Sequence, residues 1–177
     1  IATARGGNVI GGGDWSEDRL VPDIARTVDL GAKLEIRSPE SVRPWQHVLD
    51  CLSGYLLLGE RLLSGKKEFA GSWNFGPLEE EMIKVKEIIS IAQSYWKEFP
   101  VEFGSSELHE TRVLRLQCDK AVNELRWTPV LNNSEMFAFT FEWYKDFYES
   151  EKVSSEDQLS KYMEMAVKKT KSWACEF

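Results

Sequence analysis

The residues with the plainest chemical use in this chain are an arginine and an asparagine beside stiff or glycine-rich segments. Arg43 precedes Pro44 in "SVRPWQHVLD", and a guanidinium held by a stiffened backbone matches the paired oxygens of a phosphate. Asn8 lies in "RGGNVIGGGDW", where five of eleven residues are glycine. Its amide has donors and an acceptor that suit a phosphate oxygen or a sugar hydroxyl. The alternatives are a surface arginine that pairs with Glu40 and an asparagine that serves a turn, and the residue types alone leave the choice open.

The glycine-rich segment matches neither common phosphate-binding fingerprint. A Rossmann dinucleotide loop needs glycine at i, i+2 and i+5, and although Gly11 and Gly13 fit, Ser16 stands at the third position. A P-loop needs lysine directly after its second glycine, where this chain has Gly12. A flexible turn and a crossing loop that brings bare backbone close to a ligand both remain open.

Composition sets the class of protein. The chain has 177 residues, a 42% hydrophobic share and a net charge of −7, which favour one globular domain and argue against a nucleic-acid or membrane partner. No apolar run approaches the roughly 20 residues of a membrane span. Three cysteines without C-x-x-C spacing predict a reducing, cytoplasmic setting without a metal site.

The hydrophobic pattern predicts a helix-rich α+β unit with short strands. The first strand, "IATAR", has no neighbouring strand to pair with, which indicates the back part of a longer protein. Residues 38–46 are predicted to be a loop, Ser16 to cap the first helix, Asp119 a later one, and an Asn/Ser cap to start the helix at 132. The aromatic residues at helical or turn spacing are predicted to belong to the core, namely Trp127, Phe137, Phe141, Trp143 and Tyr144. The predicted helices cover 16–31, 48–63 (apolar nearly all round and hence buried), 79–99, 119–129, 132–150 and 154–173, and the other strands 33–38, 71–77, 101–103 and 113–117.

Several segments, taken in order, resemble one enzyme family. "GNVIGGGDW", "DRLVPDI", "RPWQHVLD" and "WNFGP" are similar to the C-terminal half of the extended short-chain dehydrogenase/reductases that act on nucleotide sugars, most of all to the 4,6-dehydratases of CDP-glucose. The similarity reaches about Glu149, and Pro44 stands where the family usually has aspartate. It implies the substrate-binding lobe of a Rossmann-type α/β enzyme, divided into 1–15 (end of the Rossmann lobe), 16–149 (substrate domain) and 150–177 (helical tail).

The resemblance also implies a reaction. In the family, bound NAD oxidises the sugar at C4, water is lost across C5 and C6, and the hydride returns to C6. The glycine motif, the Tyr-x-x-x-Lys pair and the acidic pair are expected upstream of this chain, and Tyr148 with Lys152 is interpreted as a chance match. The chain is thus expected to hold the substrate half, inactive alone, of a homodimeric or larger NAD-dependent enzyme. Alternatives are an epimerase or reductase of the same family and a non-catalytic binding domain.

Site residues follow from the same resemblance. Arg43 is expected on the diphosphate, Trp15 against a pyrimidine ring, and Asp14 on an exocyclic amine such as that of cytosine. His47 is interpreted as structural, Arg5 as a possible contact of the cofactor, and the choice between Arg112 and Arg115 as a phosphate ligand stays open. The substrate-binding residues implied are Asn8, Asp14, Trp15, Arg19, Arg43, Asn74, His109 and Glu110.

Overall fold

The structure, a computed structural model, describes residues 1–78, 83–96, 99–104 and 113–174. The helices are α1 (Leu20–Leu30), α2 (Val48–Leu63), α3 (Val85–Tyr95), α4 (Asp119–Asn123), α5 (Asn133–Ser150) and α6 (Ser155–Lys168). The strands are β1 (Ala2–Gly6), β2 (Asn8–Ile10), β3 (Leu34–Ile36), β4 (Val42–Arg43), β5 (Trp45–His47), β6 (Gly71–Phe75), β7 (Ile83–Lys84) and β8 (Val101–Phe103). The predicted helix-rich α+β unit is confirmed. No helix of the described residues is long and apolar enough to cross a membrane.

The strands form four two-stranded ladders. β1 pairs with β6, β2 with β5 and β3 with β8, all in parallel, while β4 and β7 pair antiparallel. The prediction of a loop over 38–46 is wrong, because β4 and β5 lie there. Pro44, which has no N–H to give a ladder, falls between the two strands, and its carbonyl accepts from the Asn8 N–H at 2.9 Å.

The first helix begins later than predicted. Ser16 does not cap it: α1 begins at Leu20, and Arg19 occupies the N-cap position without a side-chain hydrogen bond. The Ser16 N–H instead donates to the Asp14 carboxylate at 2.9 Å, a local turn that competes with helix formation. The predicted end is confirmed, since Gly31 takes a left-handed conformation with φ of 61°.

The main core surrounds the aromatic helix α5. The Asn132 side chain accepts from the Glu135 N–H and completes a capping box, as the Asn/Ser start of this helix predicts. The prediction that the aromatic residues at helical and turn spacing belong to the core is confirmed. Those buried at 5% exposure or less are Trp127, Phe137, Phe141, Trp143 and Tyr144.

Three predictions are wrong: the burial of the apolar helix, the last strand, and the Asp119 cap. Helix α2 has the predicted bounds, but Leu52, Leu56 and Leu63 are exposed, because its other face alone packs on the core, where Gly54 contacts Phe75. Within 113–117 the structure has only an isolated bridge from Val113 to Val42. Asp119 is the first residue of α4 and does not cap it, since Cys118 holds the N-cap position.

Candidate functional site

A cavity of about 1000 Å³ opens between β2, β3, β5 and the start of α1. Its wall mixes three guanidinium groups, several carboxylates and apolar side chains. The polar residues that line it are Asn8, Asp14, Asp18, Arg19, Asp23, Glu35, Arg37, Ser38, Ser41 and Arg43. Four of the predicted substrate-binding residues, Asn8, Asp14, Arg19 and Arg43, therefore share one cavity.

The β2–β5 ladder forms the inner wall. Asn8 is in register with Trp45, and because paired residues of a parallel ladder lie on the same face, their side chains are neighbours. Arg43 immediately precedes Pro44, and its Nη1 donates to the Val42 carbonyl at 3.0 Å. It does not pair with Glu40, because Lys84 and Lys86 hold that carboxylate. The geometry thus places an amide and a guanidinium at one end of the cavity.

The loop before α1 forms the opposite wall, and two side chains hold it. Arg26 donates to the carbonyls of Trp15 at 2.8 Å and Ser16 at 3.0 Å, and it also pairs with Asp23. The Tyr144 hydroxyl donates to the Asp14 carbonyl at 2.6 Å. Sequence reasoning missed both: Arg26 reaches back from the next helix onto the backbone of the loop, and Tyr144 is 130 residues from Asp14.

Asp14 and Arg19 form a loose ion pair in this loop. Their side chains are 3.8 Å apart, and that of Arg19 is 63% exposed, so the pair adds little to folding stability. Burial raises the pKa of the Asp14 carboxyl, but hydrogen bonds from Ser16 and the charges of Arg19 and Arg26 outweigh it, so its pKa lies below the usual value. Both charged side chains belong to residues that line the cavity.

The glycines of "RGGNVIGGGDW" serve close packing within the protein. A Cβ on Gly7 would lie 2.2 Å from the Pro44 carbonyl oxygen, and one on Gly12 would lie 2.0 Å from the Trp143 ring. A Cβ on Gly11 would lie 2.7 Å from Val48. Gly7 and Gly11 also line the cavity, so their backbone borders it, while Gly7 and Gly12 make room for a strand and a core ring.

Other predicted residues lie outside this cavity. Trp15 is 42% exposed and packs among Trp143, Tyr144, Phe147 and Tyr148, with ring centroids 5.2–6.3 Å away. Trp15 thus contacts four aromatic side chains and does not line the cavity.

Asn74 and Arg5 are paired in the register of the β1–β6 ladder. The Asn74 amide donates to the Gln117 carbonyl at 3.0 Å and lines a separate groove of about 430 Å³ with Lys120. Neither Arg5 nor Arg115 lines this groove or the larger cavity. His109, Glu110 and Arg112 lie outside the described residues.

Beside the cavity, β5 leads into a buried polar site. His47 caps α2 by accepting from the Leu49 N–H at 3.2 Å, which supports its structural interpretation, and burial lowers its pKa to about 4. Asp50 is 2% exposed, and burial raises its pKa to about 6. Its carboxylate accepts from the N–H groups of Val130 and Leu131 and from the Tyr162 hydroxyl, at 2.6, 3.3 and 2.9 Å.

The fold is that of a known class of enzymes. It resembles the UDP-glucose 4-epimerase of Stenotrophomonas maltophila with bound NAD, with a TM-score of 0.71 at 20% identity over 85% of this chain and 49% of that one. It also resembles the dTDP-glucose 4,6-dehydratase of Bacillus anthracis in complex with NAD, with a TM-score of 0.67 at 20% identity over 84% and 45% of the two chains. The predicted Rossmann-type extended short-chain dehydrogenase/reductase fold is confirmed.

Sequence similarity is more specific. The chain is 38% identical over 167 residues to the CDP-glucose 4,6-dehydratase of Salmonella typhimurium, covering 92% of this chain and 46% of the relative. The predicted resemblance to the extended short-chain dehydrogenase/reductases that act on nucleotide sugars is thereby confirmed. The chain spans about half the length of this relative, and no family model matches it.

Proposed function

We propose that this chain is the substrate-binding part of an NAD-dependent nucleotide-sugar 4,6-dehydratase that acts on CDP-glucose. The observation that carries the proposal is the 38% identity to a CDP-glucose 4,6-dehydratase over 92% of the chain. In the proposal, the enzyme converts CDP-glucose into its 4-keto-6-deoxy product. The chain is divided into 1–15, 16–149 and 150–177, with the middle part binding the substrate.

The cavity supports a diphosphate ligand. The protein as a whole is acidic, with a net charge of −7, so an anionic ligand needs placed cations and not a general field. Arg19, Arg37 and Arg43 supply three guanidinium groups around one volume of about 1000 Å³. A guanidinium binds phosphate through two parallel hydrogen bonds, and Arg43, stiffened by Pro44, is the best mounted of the three.

The same wall also has groups for the sugar and the base. Asn8 offers donors and an acceptor for hydroxyl groups, and the carboxylates of Asp14 and Glu35 accept from hydroxyls or from an exocyclic amine. A pyrimidine amine is the feature that distinguishes cytosine from uracil and thymine. In the proposal, the acidic side chains of the wall therefore contribute to a preference for CDP.

NAD is the proposed cofactor, and none of the residues that line the cavity of about 1000 Å³ is proposed to bind it. Arg5, the residue expected to contact it, lines neither of the two cavities, and the glycine-rich loop is packed against Pro44 and Trp143. No step of the reaction is therefore assigned to residues of the described ranges. The thiols of Cys51 and Cys118 are free, which favours a reducing compartment.

Calorimetric titration of the protein that contains this chain with CDP, UDP and dTDP tests the substrate class. We expect saturable binding with the highest affinity for CDP, and equal affinities contradict the preference for cytosine. Incubation with NAD and CDP-glucose tests the reaction in the protein that contains this chain. A 4-keto-6-deoxy sugar is expected, whereas a C4-epimer without loss of water supports an epimerase instead.

A further inference from the structure

Helix α6 has an exposed apolar stripe in addition to the face that it buries. The buried face packs on the protein through Tyr162 and Ala166, which are 2% and 0% exposed. Leu159, Met163 and Val167 follow one another at intervals of four residues, so they share a second side of the helix, where they are 49%, 39% and 52% exposed. Adjoining apolar side chains that remain exposed are typical of a surface that binds another molecule.

The charges of α6 are unevenly distributed along the helix. Glu156 and Asp157 lie in the first turn and Lys168 in the last, as the helix dipole favours. Asp157 pairs with Lys152 at 2.8 Å, whereas Glu156 and Lys168 form no ion pair with any residue that the structure describes. Glu156 is three residues before Leu159, on the side of the stripe, and Lys168 adjoins its other end. The stripe therefore has an unpaired negative charge at one end and an unpaired positive charge at the other.

A second copy of the same helix complements this arrangement when it runs antiparallel. With a twofold axis at Met163, Leu159 of each copy faces Val167 of the other, because both are four residues away from the axis. Glu156 of each copy then lies close to Lys168 of the other. Parallel pairing would instead bring like charges together at both ends. The stripe is thus complementary to itself in shape and in charge, which favours a second copy as its occupant.

We propose that the α6 stripe, formed by Leu159, Met163 and Val167, is a self-association surface on which a second copy of this chain packs antiparallel around Met163. The hydrogen bond from the Tyr162 hydroxyl to Asp50 fixes α6 on the fold, so the surface belongs to a firmly held element. The inference goes beyond the proposed function and does not depend on it. The stripe lines neither the cavity nor the groove, so association and nucleotide binding are measured separately.

Sedimentation velocity of the protein that contains this chain, over a range of concentrations, tests the surface. Met163→Lys brings two positive charges together at the axis and should weaken self-association at least about 10-fold. At a concentration where the unmodified protein is associated, the mass of the assembly should then fall by half. Leu30→Lys is the matched control, because Leu30 is an exposed leucine on a different helix, α1, and this variant should associate normally. Circular dichroism checks that both variants fold.

Charge exchange tests the antiparallel direction. Glu156→Lys and Lys168→Glu each place like charges side by side, so each variant alone should associate about 5-fold more weakly. A mixture of the two variants should recover the original association, because opposite charges then meet at both ends of the mixed pair. The inference is overturned if the unmodified protein stays monomeric, if Met163→Lys associates as Leu30→Lys does, or if the mixture associates no better than either variant alone.

Discussion

The cavity wall and the buried Asp50 site lie at the two ends of one short stretch, yet they treat polar groups in opposite ways. At Asp50, one carboxylate accepts from two backbone N–H groups and one hydroxyl, all within the protein. In the wall, five residues earlier, the Trp45 indole N–H has no acceptor among the described residues. Pairing within the protein secures the fold, whereas a buried donor without an acceptor lowers stability.

This difference has a consequence for mutagenesis. Substitutions at Asp50 should lower the free energy of unfolding and leave the affinity of the folded molecules unchanged. Substitutions in the cavity wall should lower the affinity for the ligand and change the free energy of unfolding little. The first three predictions below test this separation, starting with the change from which we expect the largest effect.

Asp50→Ala should lower the free energy of unfolding by about 4 kcal/mol, because it leaves the Val130 and Leu131 N–H groups and the Tyr162 hydroxyl buried without an acceptor. Asp50→Asn keeps one acceptor oxygen and should cost about half as much. Urea unfolding at pH 7 measures both. Equal losses in the two variants would show that burial of the side chain, and not its hydrogen bonds, matters here.

Arg43→Met should weaken CDP-glucose binding about 30-fold, which corresponds to about 2 kcal/mol, because a charge-assisted bond to phosphate is lost. Arg43→Lys keeps the charge without the planar fork and should recover only part of this affinity. The free energy of unfolding should change much less in both variants than in Asp50→Ala. Lys33→Met, outside the cavity on a surface pair with Glu102, is the control and should bind normally.

His47 lies between the two regions and supplies a pH test. Its pKa falls from an unfolded value near 6.5 to about 4 in the fold, so the unfolded chain takes up the proton first and stability is lost as pH falls below 6.5. His47→Asn keeps an acceptor for the Leu49 N–H but does not titrate.

Between pH 7 and pH 5, the unmodified chain should therefore lose about 2 kcal/mol relative to His47→Asn. The raised pKa of Asp50, about 6, acts in the opposite direction, since it adds stability below its value that is lost as pH rises through 6. Both proteins keep Asp50, so its contribution cancels in the difference. Urea unfolding at the two pH values measures this change. If the difference in free energy of unfolding between the two proteins is the same at pH 7 and pH 5, His47 is not a neutral, buried side chain.

Local signals in the sequence predict much of this fold. The hydrophobic period and the Asn132 cap predict α5, and the apolar run predicts both bounds of α2. They cannot predict β4 and β5, because these short strands exist only through pairing with segments far away in the chain, such as β2. The exposed leucines of α2 were missed for a related reason: composition gives hydrophobicity but not which face finds a partner.

The candidate site divides in the same way. Residue chemistry and family resemblance selected Asn8, Arg19 and Arg43, and all three line one cavity. Asp50 was not selected, because its partners are 80 and 112 residues away and nothing local marks them. The sequence also does not predict that Gly12 packs against Trp143, because only the tertiary fold brings these two residues together.

Gly59→Ala and Gly31→Ala define the smallest effects, outside both regions. A Cβ at either position meets no atom within 4 Å, but Gly31 has φ of +61° whereas Gly59 lies within helix α2. Gly59→Ala should therefore raise the free energy of unfolding by about 0.5–1 kcal/mol, and Gly31→Ala should lower it by about 1 kcal/mol. Thermal unfolding measures both, and CDP affinity should not change. If Gly59→Ala is destabilising, the exposed face of α2 makes a contact that a methyl group disturbs. This face must then be added to the Asp50 site and the cavity as a third region whose contacts matter for stability or binding.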